Sequence, residues 1–288
     1  MIILLIISLG IIKEFMKKDK RIKLYENKKN KGILFSKSKG ILKSNGKYVM
    51  ILDQDDIYIQ TDVFSTLYYI AEKQNLDILG FSFIYAYKNL TIVKKKPNRF
   101  FESPILFQPK LIEMDHNYSF NNEVKRINYV IWNFFIKSEI FKKSIKQIDK
   151  KFMETKMVAH DDFMFFFILV RNANNMKLIK RIFYAQIIGL KKDYPLINLL
   201  KDKENARCKS YLNYIEFVLL KTNNTFRDKK IASFELKYWF LNHKCKNNLF
   251  IRNKGISICK LFLKNKYIEK KVKAEIYSFL KTLVKKVI

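Results

Sequence analysis

The stretch that decides the fold is Gly46-Lys47-Tyr48-Val49-Met50-Ile51-Leu52-Asp53-Gln54-Asp55-Asp56. Lys47 to Leu52 is a short apolar run, the pattern of a buried central strand. It ends abruptly in three carboxylates within four residues. Like charges that close repel and raise one another's pKa, so they need a partner. A hard divalent cation such as Mg²⁺ or Mn²⁺ resolves the repulsion with oxygen ligands. In an open α/β sheet, ligands bind beyond the carboxyl ends of the strands, where this cluster falls. Two readings stay open from these residues alone: a metal site, or a solvated turn whose acids cap a helix.

The flanks set the strand in a larger pattern. Upstream, residues 11–18 have helical spacing, Arg21 to Tyr25 alternates as a strand does, and Ile33 to Leu42 reads as a small helix ended by Ser44-Asn45-Gly46. The apolar Met1 to Ile12 is too short for a bilayer span of roughly 20 residues and reads as a buried strand running into a helix. Downstream, Asp62 is placed to cap a helix over Val63 to Lys73, and Leu76 to Tyr87 reads as a strand. Alternating helices and strands indicate an α/β sheet. Residues 94–128 hold three of the four prolines and read as a long connection. Ser138 to Ile148 looks helical. His160-Asp161-Asp162 opens an apolar helix, where acids in the first turn suit the helix dipole. Leu178 to Ile188 reads as a last strand.

Beyond about Lys191 the texture changes to successive amphipathic helical patterns at 211–220, 231–241, 256–263 and 272–287. The expected organisation is therefore an α/β domain over 1–190 and a helical C-terminal extension over 191–288. The formal charge of +31 comes from 57 Lys+Arg against 26 Asp+Glu, and only eight of those bases are Arg. Such a field attracts phosphates, nucleotides, nucleic acids or anionic membranes. The scarcity of Arg and the lack of a reading motif argue against nucleic acid. Basic, aromatic helix faces leave a peripheral membrane contact open beside the simpler reading of solvated lysines. The chain is expected in the cytoplasm or peripheral to a membrane. Cys208, Cys245 and Cys259 form no CxxC and read as reduced thiols.

The run from Asn30-Lys31-Gly32, through Ser36-Lys37-Ser38-Lys39-Gly40-Ile41, to Leu52-Asp53-Gln54-Asp55-Asp56 resembles the inverting family 2 glycosyltransferases of GT-A fold. A second likeness lies in Trp132-Asn133-Phe134-Phe135-Ile136-Lys137 followed by His160-Asp161-Asp162. The resemblance implies a GT-A-like, Rossmann-related mixed sheet flanked by helices. The resemblance implies an N-terminally truncated form of that fold, or one that has lost part of its nucleotide site, because the family's first strand and helix find no counterpart in this sequence and Ser8-Leu9-Gly10 stands where an acidic nucleotide motif is expected.

The resemblance also implies a function. A nucleotide-sugar donor, UDP-linked, binds at the sheet edge through Asp53, Asp55, Lys37 and Gly32. Asp55, with Asp53 or Asp56, holds Mn²⁺ or Mg²⁺. Trp132 lies on the side of a glycan, lipid or protein acceptor. Asp161 first, and Asp162 second, takes the role of general base. The alternatives carried beside this are a non-catalytic relative of the same fold and a basic nucleic-acid or membrane-surface module.

Overall fold

The computed structural model describes residues 2–87, 92–94, 112–114, 130–188, 197–221, 249–264, 270, 273–274 and 277–278. The expected connection at 94–128 and the helical patterns at 231–241 and 272–287 lie wholly or mostly outside the described residues. Two compact units divide between Lys31 and Gly32.

The smaller unit carries α1 (Ile2–Lys18). The strand expected at the start of the Met1 to Ile12 run is thus corrected to helix from Ile2 onward; an unbroken apolar run carries no period that separates the two. Arg21 to Tyr25 forms no strand either. Its alternation finds no pairing partner among the described residues, and Arg21 instead closes back on Asp19, with Nη2 donating to Oδ2 at 2.7 Å.

The larger unit follows the expected order closely. It runs α2 (Ile33–Lys43), β1 (Tyr48–Val49), β2 (Ile57–Tyr58), α3 (Val63–Lys73), β3 (Ile78–Tyr87), β4 (Ile92–Lys94) and β5 (Ile112–Met114). Then come β6 (Phe134–Lys137), α4 (Ser138–Ile145), α5 (Lys150–Met153), α6 (Asp161–Asn172), β7 (Met176–Ile188), α7 (Ile197–Lys221) and α8 (Leu249–Lys264). Seven strands form one mixed sheet in the order β1-β6-β3-β7-β2, with β4 added beside β3 and β5 beside β7. β3 and β7 run parallel from Ile78↔Met176 to Tyr87↔Ile188, while β1–β6, β6–β3 and β2–β7 are antiparallel. The strand after Gly46 was expected at the centre; among the described residues it pairs only with β6 and ends the path. Its apolar side chains are covered by helices, which makes an edge strand read like a central one.

The sheet centre is closed by absence of a side chain. Gly80 sits between Phe134 and Leu178 in register, and a Cβ there would overlap Leu178 Cδ2 and lie 2.8 Å from Phe134 Cε1. The main core joins α2, α4, α6 and α7: Leu34, Ile41, Phe141, Phe165 and Phe166 pack with Tyr211, Tyr214 and Phe217. α7 therefore shares its core with the sheet-bearing unit. Cys208 on α7 is disulfide-bonded, which corrects the expectation of reduced thiols throughout, and Cys259 is a buried free thiol. Among the described residues no helix is long and apolar enough to cross a membrane.

Candidate active site

The acidic cluster is a tight turn. Asp56 donates its backbone N–H to Asp53 O at 3.1 Å, which places Gln54 and Asp55 at the exposed tip. Both ends are fastened. On the entering side, Tyr58 Oη donates to Ile51 O at 3.2 Å. On the leaving side, Asp56 is 7% exposed, and its Oδ2 accepts from Tyr184 Oη at 2.6 Å while Oδ1 accepts from Ile187 N at 2.8 Å. Burial raises the Asp56 pKa, and the hydrogen bonds from Tyr184 and Ile187 oppose the rise. Asp56 thus ties the turn to β7.

A second pair of acids meets the turn from across the sheet. Asp161 and Asp162 are the first residues of α6, where the dipole favours negative charge. Asp162 Oδ2 also accepts from Ile131 N at 3.3 Å. Between the two sets stands Lys37 of α2. Its Nζ lies 3.1 Å from Asp161 Oδ2, 3.1 Å from Asp162 Oδ1 and 3.4 Å from Asp53 Oδ1. All of these except Asp53 are largely buried: the side chains are 17% exposed for Lys37, 7% for Asp161 and 15% for Asp162, against 34% for Asp53. Asp161 Oδ2 is buried and makes no hydrogen bond, so the ion pair alone compensates it.

The charges perturb one another. Burial pushes the Asp162 carboxyl up and the Asp161 charge adds to the rise, while Lys37 holds it back; the group titrates near about 7. Burial works against the Lys37 charge, yet Asp162, Asp161 and Asp53 outweigh it and hold the ammonium well above its ordinary value. With every group ionised, one cation faces three carboxylates.

The structure sorts the residues singled out from sequence. Asp53, Lys37, Asp161 and Asp162 converge. Asp55 stands exposed at the turn tip. Gly32 adopts φ 87°, and a Cβ on it would come 3.0 Å from Lys156 Cα, so it serves the start of α2 and a close backbone crossing. Trp132 corrects its expected acceptor role. It is 2% exposed, stacks on Tyr184 with centroids 4.4 Å apart, and meets Phe83 edge-on at 4.6 Å. An aromatic ring between two strands fills the core before it can reach a substrate. His160, in a left-handed conformation at φ 65°, packs its ring on Phe163 and Tyr211.

One participant escaped the sequence. Tyr184 is 128 positions from Asp56, and no local pattern links them. Lys37 was legible in part: Leu34, Ser38 and Ile41 are the buried face of α2, and position 37 belongs to that same face.

A divalent cation fits this site in a particular way. Among the described residues no three His, Cys, Asp or Glu side chains form a ready cage. Asp55 is free of the ion-pair cluster and Asp53 is partly so, whereas Asp56 has both oxygens engaged. Mg²⁺ is commonly held by one or two carboxylates together with substrate phosphates, which this donor set matches.

Comparison with known proteins gives a consistent result. Residues 7–144 match the model of the Glycosyl transferase family 2 family; Asp161 and Asp162 lie beyond the matched stretch. An uncharacterized glycosyltransferase of Methanocaldococcus jannaschii is 37% identical over 92 residues, 31% of this chain and 31% of that protein. An uncharacterized glycosyltransferase of Rickettsia bellii is 42% identical over 59 residues, 20% of this chain and 8% of that protein. The chain thus matches less than a third of the length of either relative. Among solved structures, S. aureus TarS 1-349 superposes with a TM-score of 0.59 at 14% identity, covering 93% of this chain and 69% of that one. The same protein in complex with UDP gives 0.59 at 12% identity, covering 94% and 73%. The likeness shows a GT-A-like fold, a mixed sheet with flanking helices.

Proposed function

We propose, from the match of residues 7–144 to the Glycosyl transferase family 2 model, that the chain moves a sugar from a nucleotide-sugar donor, UDP-linked, to an acceptor hydroxyl with inversion. The observation that carries this is the meeting of Asp53 with Asp161 and Asp162 around Lys37 at the carboxyl end of β1. A donor-side turn and an acceptor-side helix start are brought to one point, as a single in-line displacement needs. The UDP complex of TarS, a protein of similar fold, supports a nucleotide donor.

Asp55, with Asp53, would hold Mn²⁺ or Mg²⁺, which supplies neutralisation of charge on the leaving diphosphate. Asp162 acts as general base in preference to Asp161, reversing the order that resemblance alone suggested. Its pKa, lifted to about 7, suits proton acceptance near neutrality. The acceptor oxygen bonds to the anomeric carbon as the bond from that carbon to the phosphate oxygen breaks. The hydroxyl proton passes to Asp162 and the nucleoside diphosphate departs. Asp56 holds the turn in place through β7.

The test is turnover of UDP-sugars with Mn²⁺ by the full chain and by Asp55→Ala. The variant should lose metal-dependent turnover by at least about 100-fold, the scale of losing a key electrostatic contact. Retained turnover overturns the role of Asp55. A well-folded wild type that binds no UDP with Mn²⁺ in calorimetry points instead to a non-catalytic relative.

A further inference from the structure

We infer that Lys37 is the positioning residue of this site: a buried ammonium that locks the donor-side turn to the acceptor-side start of α6. The kinetic part of this inference rests on the transferase reading above. The structural part does not.

Three features point to it. Lys37 reaches carboxylates from two segments far apart in sequence, at 3.1 to 3.4 Å. An ammonium carries three N–H donors, so one group can face three acceptors. Asp161 Oδ2 is buried with no hydrogen bond, which leaves Lys37 as its compensating charge. A buried carboxylate without such a partner is strongly unfavourable. Without Lys37, Asp53, Asp161 and Asp162 would face one another as bare like charges, and the turn and the helix start would be driven apart.

The sequence suggests a different task for this lysine, a grip on donor phosphates. The two roles predict opposite behaviour toward the donor. A phosphate ligand, once removed, weakens nucleotide binding. A positioning cation, once removed, leaves more negative charge near Asp55 and Asp53, so UDP with Mn²⁺ binds as well as before or more tightly.

The decisive set is Lys37→Met, Lys37→Arg, Asp162→Asn and Lys37→Met/Asp162→Asn in the full chain. Turnover of Lys37→Met should fall by roughly 100-fold, the cost of a misplaced catalytic geometry. Its affinity for UDP with Mn²⁺ should stay within about 3-fold of wild type or tighten, because no donor contact is lost. Lys37→Arg should recover about 10-fold of the lost turnover, since a planar guanidinium restores the charge but suits fewer of the three directions. Turnover by Lys37→Met within about 3-fold of wild type, or affinity for UDP with Mn²⁺ more than about 10-fold weaker, overturns the inference.

Thermal denaturation at pH 8 gives a readout that needs no activity. Asp162→Asn should raise the Tm of Lys37→Met by roughly 5 °C more than it raises that of wild type, because it removes a buried charge whose ion-pair partner is gone in that background. Equal shifts in the two backgrounds overturn the positioning role. A wild type that neither binds UDP nor turns over donor defeats the transferase reading, and this thermal cycle then decides the case for Lys37. If Lys37→Met does not fold, the same cycle is run with Lys37→Gln and Lys37→Gln/Asp162→Asn, which also lack the charge but keep a polar side chain.

Discussion

Replacing Asp162 by Asn tests whether the acidic pair is held against its own charge. In the fold the Asp162 carboxyl titrates at about 7, against an ordinary 3.8, chiefly because burial disfavours its charged form. An acid with a raised folded pKa binds its proton more tightly folded than unfolded. Between about pH 4 and pH 7 the folded chain therefore carries the extra proton, and stability falls as pH rises through that window. A rise of about three pH units corresponds to about 4 kcal/mol at 1.36 kcal/mol per unit, reached above pH 7. Asn is nearly isosteric and its side-chain oxygen can still accept from Ile131 N, so besides the titration the variant gives up the 3.1 Å ion pair with Lys37, whose pull on the carboxyl is already contained in its net rise. Urea unfolding of both proteins from pH 4.5 to 8.5 measures the effect. The variant should gain on wild type steadily with pH, by up to about 4 kcal/mol at the alkaline end. An advantage that is flat, or that shrinks as pH rises, refutes a carboxyl raised by burial and would place Lys37 as the dominant influence on it.

Further outcomes follow from the packing. Tyr184→Phe removes the 2.6 Å hydrogen bond to buried Asp56 and should cost about 1.5–3 kcal/mol in urea unfolding, the range for a hydrogen bond to a charged group. Gly80→Ala forces Leu178 and Phe134 aside in the sheet centre and should lower stability by about 1–3 kcal/mol, read as a lower urea midpoint with an unchanged slope. Gly32→Ala meets both a positive φ of 87° and backbone atoms of Lys156 and Met157, so it should cost at least about 1 kcal/mol in the same assay.

Much of this architecture was written locally. The helices α2, α3 and α6 and the strands β3 and β7 carry their periods and their stop signals in sequence, and they form where those signals fall. What failed was information that depends on a partner. Arg21 to Tyr25 alternates without a strand to pair with among the described residues. The apolar run ending at Leu52 did not reveal that it borders the sheet, because side chains report burial and not which neighbour accepts the backbone hydrogen bonds. Trp132 by itself reads as core, and only the resemblance puts it on the acceptor side; its stacking on Tyr184, 52 residues away, fits the first of these. Lys37 shows the mixed case. Its position on the buried face of α2 was readable, but a lysine there asks for a buried anion, and the anions come from the start of α6.

The same distinction divides the three acids of the turn. Asp56 follows Asp55 directly and has the same chemistry, yet its oxygens are taken by Tyr184 and Ile187. A carboxylate so engaged suits anchoring more than catalysis, and its raised pKa is the consequence of burial, which those two hydrogen bonds oppose. Asp53 is shared, one oxygen 3.4 Å from Lys37 and its side chain one-third exposed. Asp55 alone projects from the turn tip into solvent. Three separate demands — anchor, link and contact — are thus met by one residue type within four positions. The turn geometry assigns them: the i→i+3 hydrogen bond from Asp56 to Asp53 sends the end residues inward and the tip outward. Moving the anchor to Asp55 would need a different turn, so the single variants Asp56→Asn and Asp55→Asn separate the tasks. Asp56→Asn keeps the outward carboxylate and should lose mainly stability. Asp55→Asn keeps the anchor and should lose mainly metal-dependent turnover. Equal losses of both properties in the two variants would show that the acids act as one undivided cluster.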